Sequence, residues 1–313
     1  MIETILNRIV VSVPVLFGVL FLGFALVQLA PGDPARVQAG PTAPPEVVER
    51  IRQEMGLDQP VIVQFGKYME RLAQGDLGRS LISNKTVTSE LAAAIVPTIE
   101  LMFASLIWSI PLGIAMGTLA AVWRGSLLDR IIMAISVAGV SLPIFFICLL
   151  LIQLLGVKYP VFPFIGRGGP IWTAEGLRHL VLPALSLGLI FIGPVSRMTR
   201  SSVLEVLRLD HVRTARAKGL TEPQVILRHG LRNALIPVVT LVGLQIGYLL
   251  GGAVVTETIF SYPGIGRLAV GAILSSDFPL AQGTILVLAL GFILVNLIVD
   301  ILYARLDPRV QKK

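Results

Sequence analysis

Six stretches of this chain contain no Asp, Glu, Lys or Arg: residues 9–30 and 101–122 (22 each), 131–157 (27), 180–196 (17), 233–256 (24) and 278–299 (22). At about 1.5 Å per residue, runs of this length cross the hydrocarbon of a bilayer. Backbone groups in lipid find no water, so they must bond within their own segment and each run is predicted as a helix. The 17-residue run is short for a crossing, which predicts that it extends past His179 or is sheltered by neighbours. With 54% hydrophobic and 14% charged residues among 313, the expected class is an all-α polytopic membrane protein with six transmembrane helices. The first run exceeds a signal-peptide core and no Ala-x-Ala site follows it, so it reads as a retained span.

Charge orients the spans. With the N-terminus inside, segments 1–8, 123–130, 197–232 and 305–313 hold 15 of the 26 Lys and Arg and net +9. Segments 31–95, 157–179 and 257–277 hold the other 11, balanced by 11 acids. The positive-inside rule therefore puts both termini in the cytoplasm. The net +7 then reflects topology rather than nucleic acid, and the basic segment is anchored by membrane helices at both ends, with no free recognition helix. A single Cys148 excludes an internal disulfide, and His179, His211 and His229 show no metal-ligand spacing. A Gly-x4-Gly-Lys-Ser/Thr phosphate loop and a serine-nucleophile elbow are both missing from the sequence, so no enzyme is predicted.

The chain divides into 1–95, a first span plus an extracytoplasmic segment, and 96–313, a core of five spans. In the extracytoplasmic part, Pro31-Gly32-Asp33-Pro34 stops the first helix. Two amphipathic helices follow, one carrying Val48, Ile51 and Met55 before Gly56, the other Val61, Phe65, Tyr68 and Leu72 between Pro60 and Gly75. Such short helices are expected to lie on the membrane's outer surface or to pack against neighbouring loops, as a structural cap or a partner contact.

The cytoplasmic segment 197–232 carries 8 basic residues and reads as helix, turn, helix. Over 209–218, Val212, Ala215 and Gly219 fall on one side while Arg213 and Arg216 occupy another, and the small-residue side is expected to admit a partner closely. Gly219 stops the helix, and Arg216 with Lys218 complements its negative end. Thr221 and Gln224 have capping-box spacing for the next helix, with Pro223 in its first turn. A topogenic loop is the plain alternative, but charge alone does not call for the small-residue side.

Several stretches in this order resemble the permease subunits of bacterial ABC importers of the dipeptide, oligopeptide, glutathione and nickel group. They are 29–36 (LAPGDPAR), 75–80 (GDLGRS), 213–219 (RTARAKG), 231–237 (LRNALIP) and 257–267 (ETIFSYPGIGR). The Glu-Ala-Ala loop of importer permeases is degenerate here: Arg213 and Thr214 stand at its Glu and Ala, Ala215 and Gly219 match, and His229, Leu231 and Arg232 replace its closing Ile-x-Leu-Pro. The resemblance implies a type I ABC importer permease fold in the bacterial inner membrane. It implies an ATPase-coupling element at Val212, Arg213, Thr214, Ala215, Arg216, Lys218 and Gly219, moved by separate ATPase subunits. The implied partners are a second homologous permease, two ATP-binding subunits and an extracytoplasmic substrate-binding protein. No cofactor is expected in this chain, ATP and Mg being held by those partners. Peptides are the first expectation for the solute, with glutathione or a nickel chelate as alternatives.

Within the spans, Pro111, Pro143 and glycines such as Gly113, Gly117, Gly243 and Gly252 read mainly as packing sites, with kinks at the two prolines. Tyr262-Pro263-Gly264 has a turn signature and is a candidate outer gate, or simply a tight connection between spans five and six. Polar groups in spans are costly, which makes Gln153 and Gln245 pathway candidates and places Asn296 and Asp300 toward protein or water, Asp300 with Arg305 as a partner. Glu100, at the outer mouth of the second span, is a third pathway candidate for attracting a peptide's amino terminus, with a merely exposed interfacial carboxylate as the plain and favoured alternative. A stand-alone carrier or channel is the rival class, but few intramembrane acids are available for a coupling-ion site and no inverted repeat is evident. A purely structural scaffold fits the proline-interrupted, polar spans poorly.

Overall fold

The computed structural model describes the backbone of residues 2–29, 33–40 and 42–306, and the side chains of 10–25, 33–40, 42–299 and 301. The expected Asp300–Arg305 contact and both chain ends lie outside the described side chains. Among the described residues the regular structure is helical, with one isolated antiparallel bridge between Arg79 and Thr86. Helices α1 (Ile2–Leu29), α2 (Pro34–Ala39), α3 (Pro45–Glu54) and α4 (Val61–Ala73) precede the long α5 (Val87–Val122). Then follow α6 (Leu127–Ser141), α7 (Ile144–Leu151) with a π-helical extension Ile152–Lys158, α8 (Ala174–Val206) and α9 (Asp210–Ala217). A short α10 (Glu222–Gln224) passes through a π-helical stretch Val225–Leu231 into α11 (Arg232–Ile259), followed by α12 (Ile265–Leu274) and α13 (Phe278–Leu306).

Among the described residues, four continuous helices, Val87–Val122, Ala174–Val206, Glu222–Ile259 and Phe278–Val299, are long and apolar enough to cross a membrane. The third predicted span is not one straight helix. Its halves meet at 105°, because the residue before a proline is driven out of the helical region: Leu142 is extended (ψ 131°) and Pro143 starts a new helix. By contrast α5 runs on through Pro111. The fourth span, short in sequence, is a 33-residue helix and the most buried of the four, so both expectations for it hold.

The chain packs as two compact units. One comprises residues 100–260 with 295–313, the other 2–99 with 261–294, so α5 and α13 contribute to both. In the first unit, small residues set the helix spacing. A methyl on Gly117 would overlap the Ser196 carbonyl oxygen of α8, and one on Gly193 would overlap the Ser136 carbonyl oxygen of α6. At that crossing the Ser136 and Ser196 hydroxyls bond at 2.5 Å.

In the second unit the amphipathic pair forms as predicted. Gly56 (φ 69°) and Gly75 (φ 76°) end the two helices in the left-handed region. Part of the apolar side of α4 packs against helices rather than loops: Phe65 and Tyr68 sink against Leu20 and Phe24 of α1 and Leu286 of α13, while Val61 stays exposed. Rings of Phe17, Phe21 and Phe24 meet Phe65 edge-on at 5.2–5.5 Å. Asp33 caps α2 by accepting the Ala35 N–H (3.1 Å), with Pro34 at the first helical position, and it also accepts from Arg52 (2.7 Å).

Candidate functional site

Helix α9 is eight residues long and has a buried and an exposed side. Val212 (0% exposed) and Ala215 sink into a cluster with Ala121 of α5, Val203 and Val206 of α8, Val225 of the π-helical stretch and Ala234 of α11. This corrects the expected use of the small-residue side in part: Val212 and Ala215 close onto the chain's own helices, while Gly219 stays exposed. Arg213 (73% exposed), Thr214, Arg216 and Lys218 stand on the outside. Arg213 lies 3.7 Å from Asp210, which is itself 97% exposed, so the attraction is screened and weak.

The turn after α9 is rigidly built. Gly219 (φ 82°) donates its N–H to the Arg216 carbonyl (2.9 Å), and open space surrounds the position a Cβ would take. Glycine is needed there for backbone conformation, not for close approach. Arg216 bridges the turn with a two-pronged bond to Glu222, Nε to Oε1 at 2.7 Å and Nη2 to Oε2 at 3.2 Å. That bond holds the Glu222 carboxyl below, and the Arg216 guanidinium above, its ordinary pKa. The capping box forms as predicted, the Thr221 N–H reaching Gln224 Oε1 at 3.2 Å. Asn233 contacts His211 at 3.3 Å, tying α9 to the start of α11.

Beside this hairpin the α5–α6 turn is pinned to α8 by a pair that sequence reading missed. Arg200 donates Nε (2.7 Å) and Nη2 (2.8 Å) to Asp129, which also accepts the Gly125 N–H (2.9 Å). Asp129, outside the apolar stretches, is brought to a pKa of about 2, chiefly by the Arg200 bond and then by Gly125. The partners are 71 residues apart, so no local spacing announces them.

The remaining candidates sit on separate elements. Gln153 is exposed on the π-helical end of α7, and Gln245 is half-buried on α11. Tyr262 is fully buried and Gly264 buried, with only Pro263 exposed; the bend comes from Ser261 at φ 52° and a bond from the Gly264 N–H to the Tyr262 carbonyl (2.8 Å). The following segment is more than a connection, for it contains α12, whose Ile265, Ala269 and Ala272 are buried at helical spacing, a periodicity the sequence offered. Thr98 accepts the Ile265 N–H at its start (2.9 Å). Ser80, from the 75–80 stretch, donates to a buried Asp277 at 2.5 Å just before α13. Nearby, a cavity of about 510 Å³ is lined by residues including Ser83, Glu90, Pro263, Gly264 and Arg267. Glu100 departs from expectation. Its carboxylate is 7% exposed and accepts from Arg167 Nη2 at 2.6 Å, so it is a buried, paired group rather than an exposed interfacial one.

Comparison with known proteins bears on the whole chain. Residues 109–312 match the family model of the binding-protein-dependent transport system inner membrane component, and residues 1–101 match its N-terminal model. Glutathione transport system permease protein GsiC of Escherichia coli O6:H1 (strain CFT073) is 45% identical over 313 residues, all of both chains. The proteins of that name from E. coli K12 and Salmonella paratyphi A are 44% identical over the same full lengths. Among solved structures, a chain of the MetNI methionine ABC transporter in inward facing conformations matches 70% of this chain and 97% of its own, at 17% identity and TM-score 0.57. That likeness concerns the fold. Taken with the helical, membrane-crossing architecture, the matches establish that this chain belongs to the binding-protein-dependent inner-membrane component family, the permease subunits of ABC importers.

Proposed function

We propose that this permease forms half of a translocation path for peptides or glutathione-like solutes and that α9 with its following turn couples it to ATPase subunits on separate chains. One observation carries the coupling reading: α9 is seated on its apolar side by four other segments while Arg213 and Lys218 stand exposed. A surface supported in that way transmits a push instead of absorbing it. Coupling needs contacts that differ between two states, and a partner binding both equally shifts nothing.

The cycle we infer is alternating access. ATP-driven closure of the partner ATPases displaces α9, reorients the spans and opens the path outward; hydrolysis resets it. ATP and Mg belong to those partners. The complete assembly has a second homologous permease, two ATP-binding subunits and an extracytoplasmic binding protein, and this chain crosses the inner membrane six times with both termini in the cytoplasm. Val212 and Ala215 support the coupling element, Arg213, Thr214, Arg216 and Lys218 form its surface, and Gly219 shapes its turn. The Tyr262, Pro263 and Gly264 turn belongs to the outer gate, and Gln153 and Gln245 to the pathway. Glu100 acts at the outer end of the path through its ion pair.

The substrate reading rests on the name shared by relatives 44–45% identical along the whole chain. Uptake of labelled glutathione and of dipeptides by proteoliposomes holding the full assembly tests it. ATP-dependent accumulation of either class supports the reading; ATP-dependent uptake of nickel chelate alone refutes it.

A further inference from the structure

Glu100 lies within α5, and Arg167 lies in the irregular connection between the π-helical end of α7 and α8. Their ion pair is short (2.6 Å) and largely out of water, with side-chain exposures of 7% and 21%. The residue before Arg167 makes a second attachment: Gly166 donates its N–H to the carbonyl of Phe260 (2.8 Å), which is fully buried at the end of α11. Two consecutive residues of one connection thus grip α5 and α11 together. The connection has no helix or strand of its own and turns at Gly166 (φ 77°) and Gly169 (φ 141°).

We infer that the Glu100–Arg167 pair is a latch that opens in every transport cycle, Arg167 being a positioning residue that acts through Glu100. The inference rests on the alternating-access reading above. A buried ion pair is a poor source of net stability, since desolvation offsets most of its attraction, while removing one partner is strongly unfavourable. When such a pair separates, both groups regain water. An apolar clamp of similar area would instead expose its surface on every opening. The pair is therefore suited to a contact made and broken repeatedly, and α5 cannot part from the end of α11 at this level until the connection releases one of them.

A static brace would bury the same atoms, so the test joins the two positions covalently. In a C148S chain assembled with its partners in proteoliposomes, Glu100→Cys and Arg167→Cys are linked by a short reducible bis-thiosulfonate reagent. ATP-dependent uptake is expected to fall roughly tenfold or more when linked and to return on reduction. Undiminished uptake with the link confirmed by mass spectrometry overturns the latch. The charge exchange E100R/R167E is expected to regain most of the uptake that E100R alone loses; a double variant as impaired as the single one also overturns it. Uptake by unlinked protein without ATPase subunits would refute the underlying reading instead, and that result is separable from either latch outcome.

Discussion

Helices α9 and α12 are both short, 8 and 10 residues, and both sit between long helices, yet the sides they leave outside differ in charge. In α12 Ile265 and Ala272 of the buried side join the core of its unit, and its first N–H is taken by a side chain of α5. In α9 an equally buried side supports two exposed cations, Arg213 and Arg216, with Lys218 just beyond the helix. A short helix needs a packed side merely to exist, because nucleation is costly. The packed side therefore does not say where a partner binds, and the coupling proposal rests on the other side.

Four perturbations test that division. The largest effect belongs to V212D, which places a carboxylate in a fully enclosed apolar site. A loss of roughly 3–5 kcal/mol is expected, read as collapse of the melting temperature in detergent. A V212D protein that melts like wild type would mean that α9 is not seated as described. Next comes Ser80→Ala in the unit of α12, which removes a donor from buried Asp277 and should cost about 1–3 kcal/mol. An unaltered melt there would mean that the 75–80 stretch does not hold the α12–α13 turn.

Smaller still is G219A. With φ 82° and open space around the Cβ position, the expected cost is about 1 kcal/mol, from backbone strain alone. G219N should recover part of it, since Asn tolerates that conformation; if Asn proves worse than Ala, bulk rather than backbone matters at this turn. The smallest expected change is the one between pH 7 and 5. Asp129 has a folded pKa below its ordinary value, so the stability it adds is complete above about pH 4 and disappears as pH falls through about 2. Between pH 7 and 5 the D129N and wild-type melting curves should keep a constant separation. A gap that narrows already at pH 6 would contradict the Arg200 pairing.

Much of this was legible in the residues. Charge-free runs marked the long helices, and Gly56, Gly75, Gly219 and the Thr221/Gln224 spacing marked ends that were then found. What stayed hidden depends on contacts far apart in sequence. The periodicity that placed Val212 and Ala215 on one side could not say what that side meets. Glu100 looked exposed because its partner is 67 residues away in a segment without regular structure, and Asp129–Arg200 was silent for the same reason. The bend at Pro143 was marked by the proline, but not its size, since a proline alone also permits the continuous helix seen at Pro111.

The central claim is that the exposed cations of α9 engage separate ATPase chains, and R213E/K218E tests it most directly. Affinity-purified variant permease should retain the wild-type melting temperature and recover roughly tenfold less ATPase subunit than wild type, as loss of close charge contacts at an interface predicts. Full recovery of the ATPase with that double reversal, from protein that melts normally, would contradict the account.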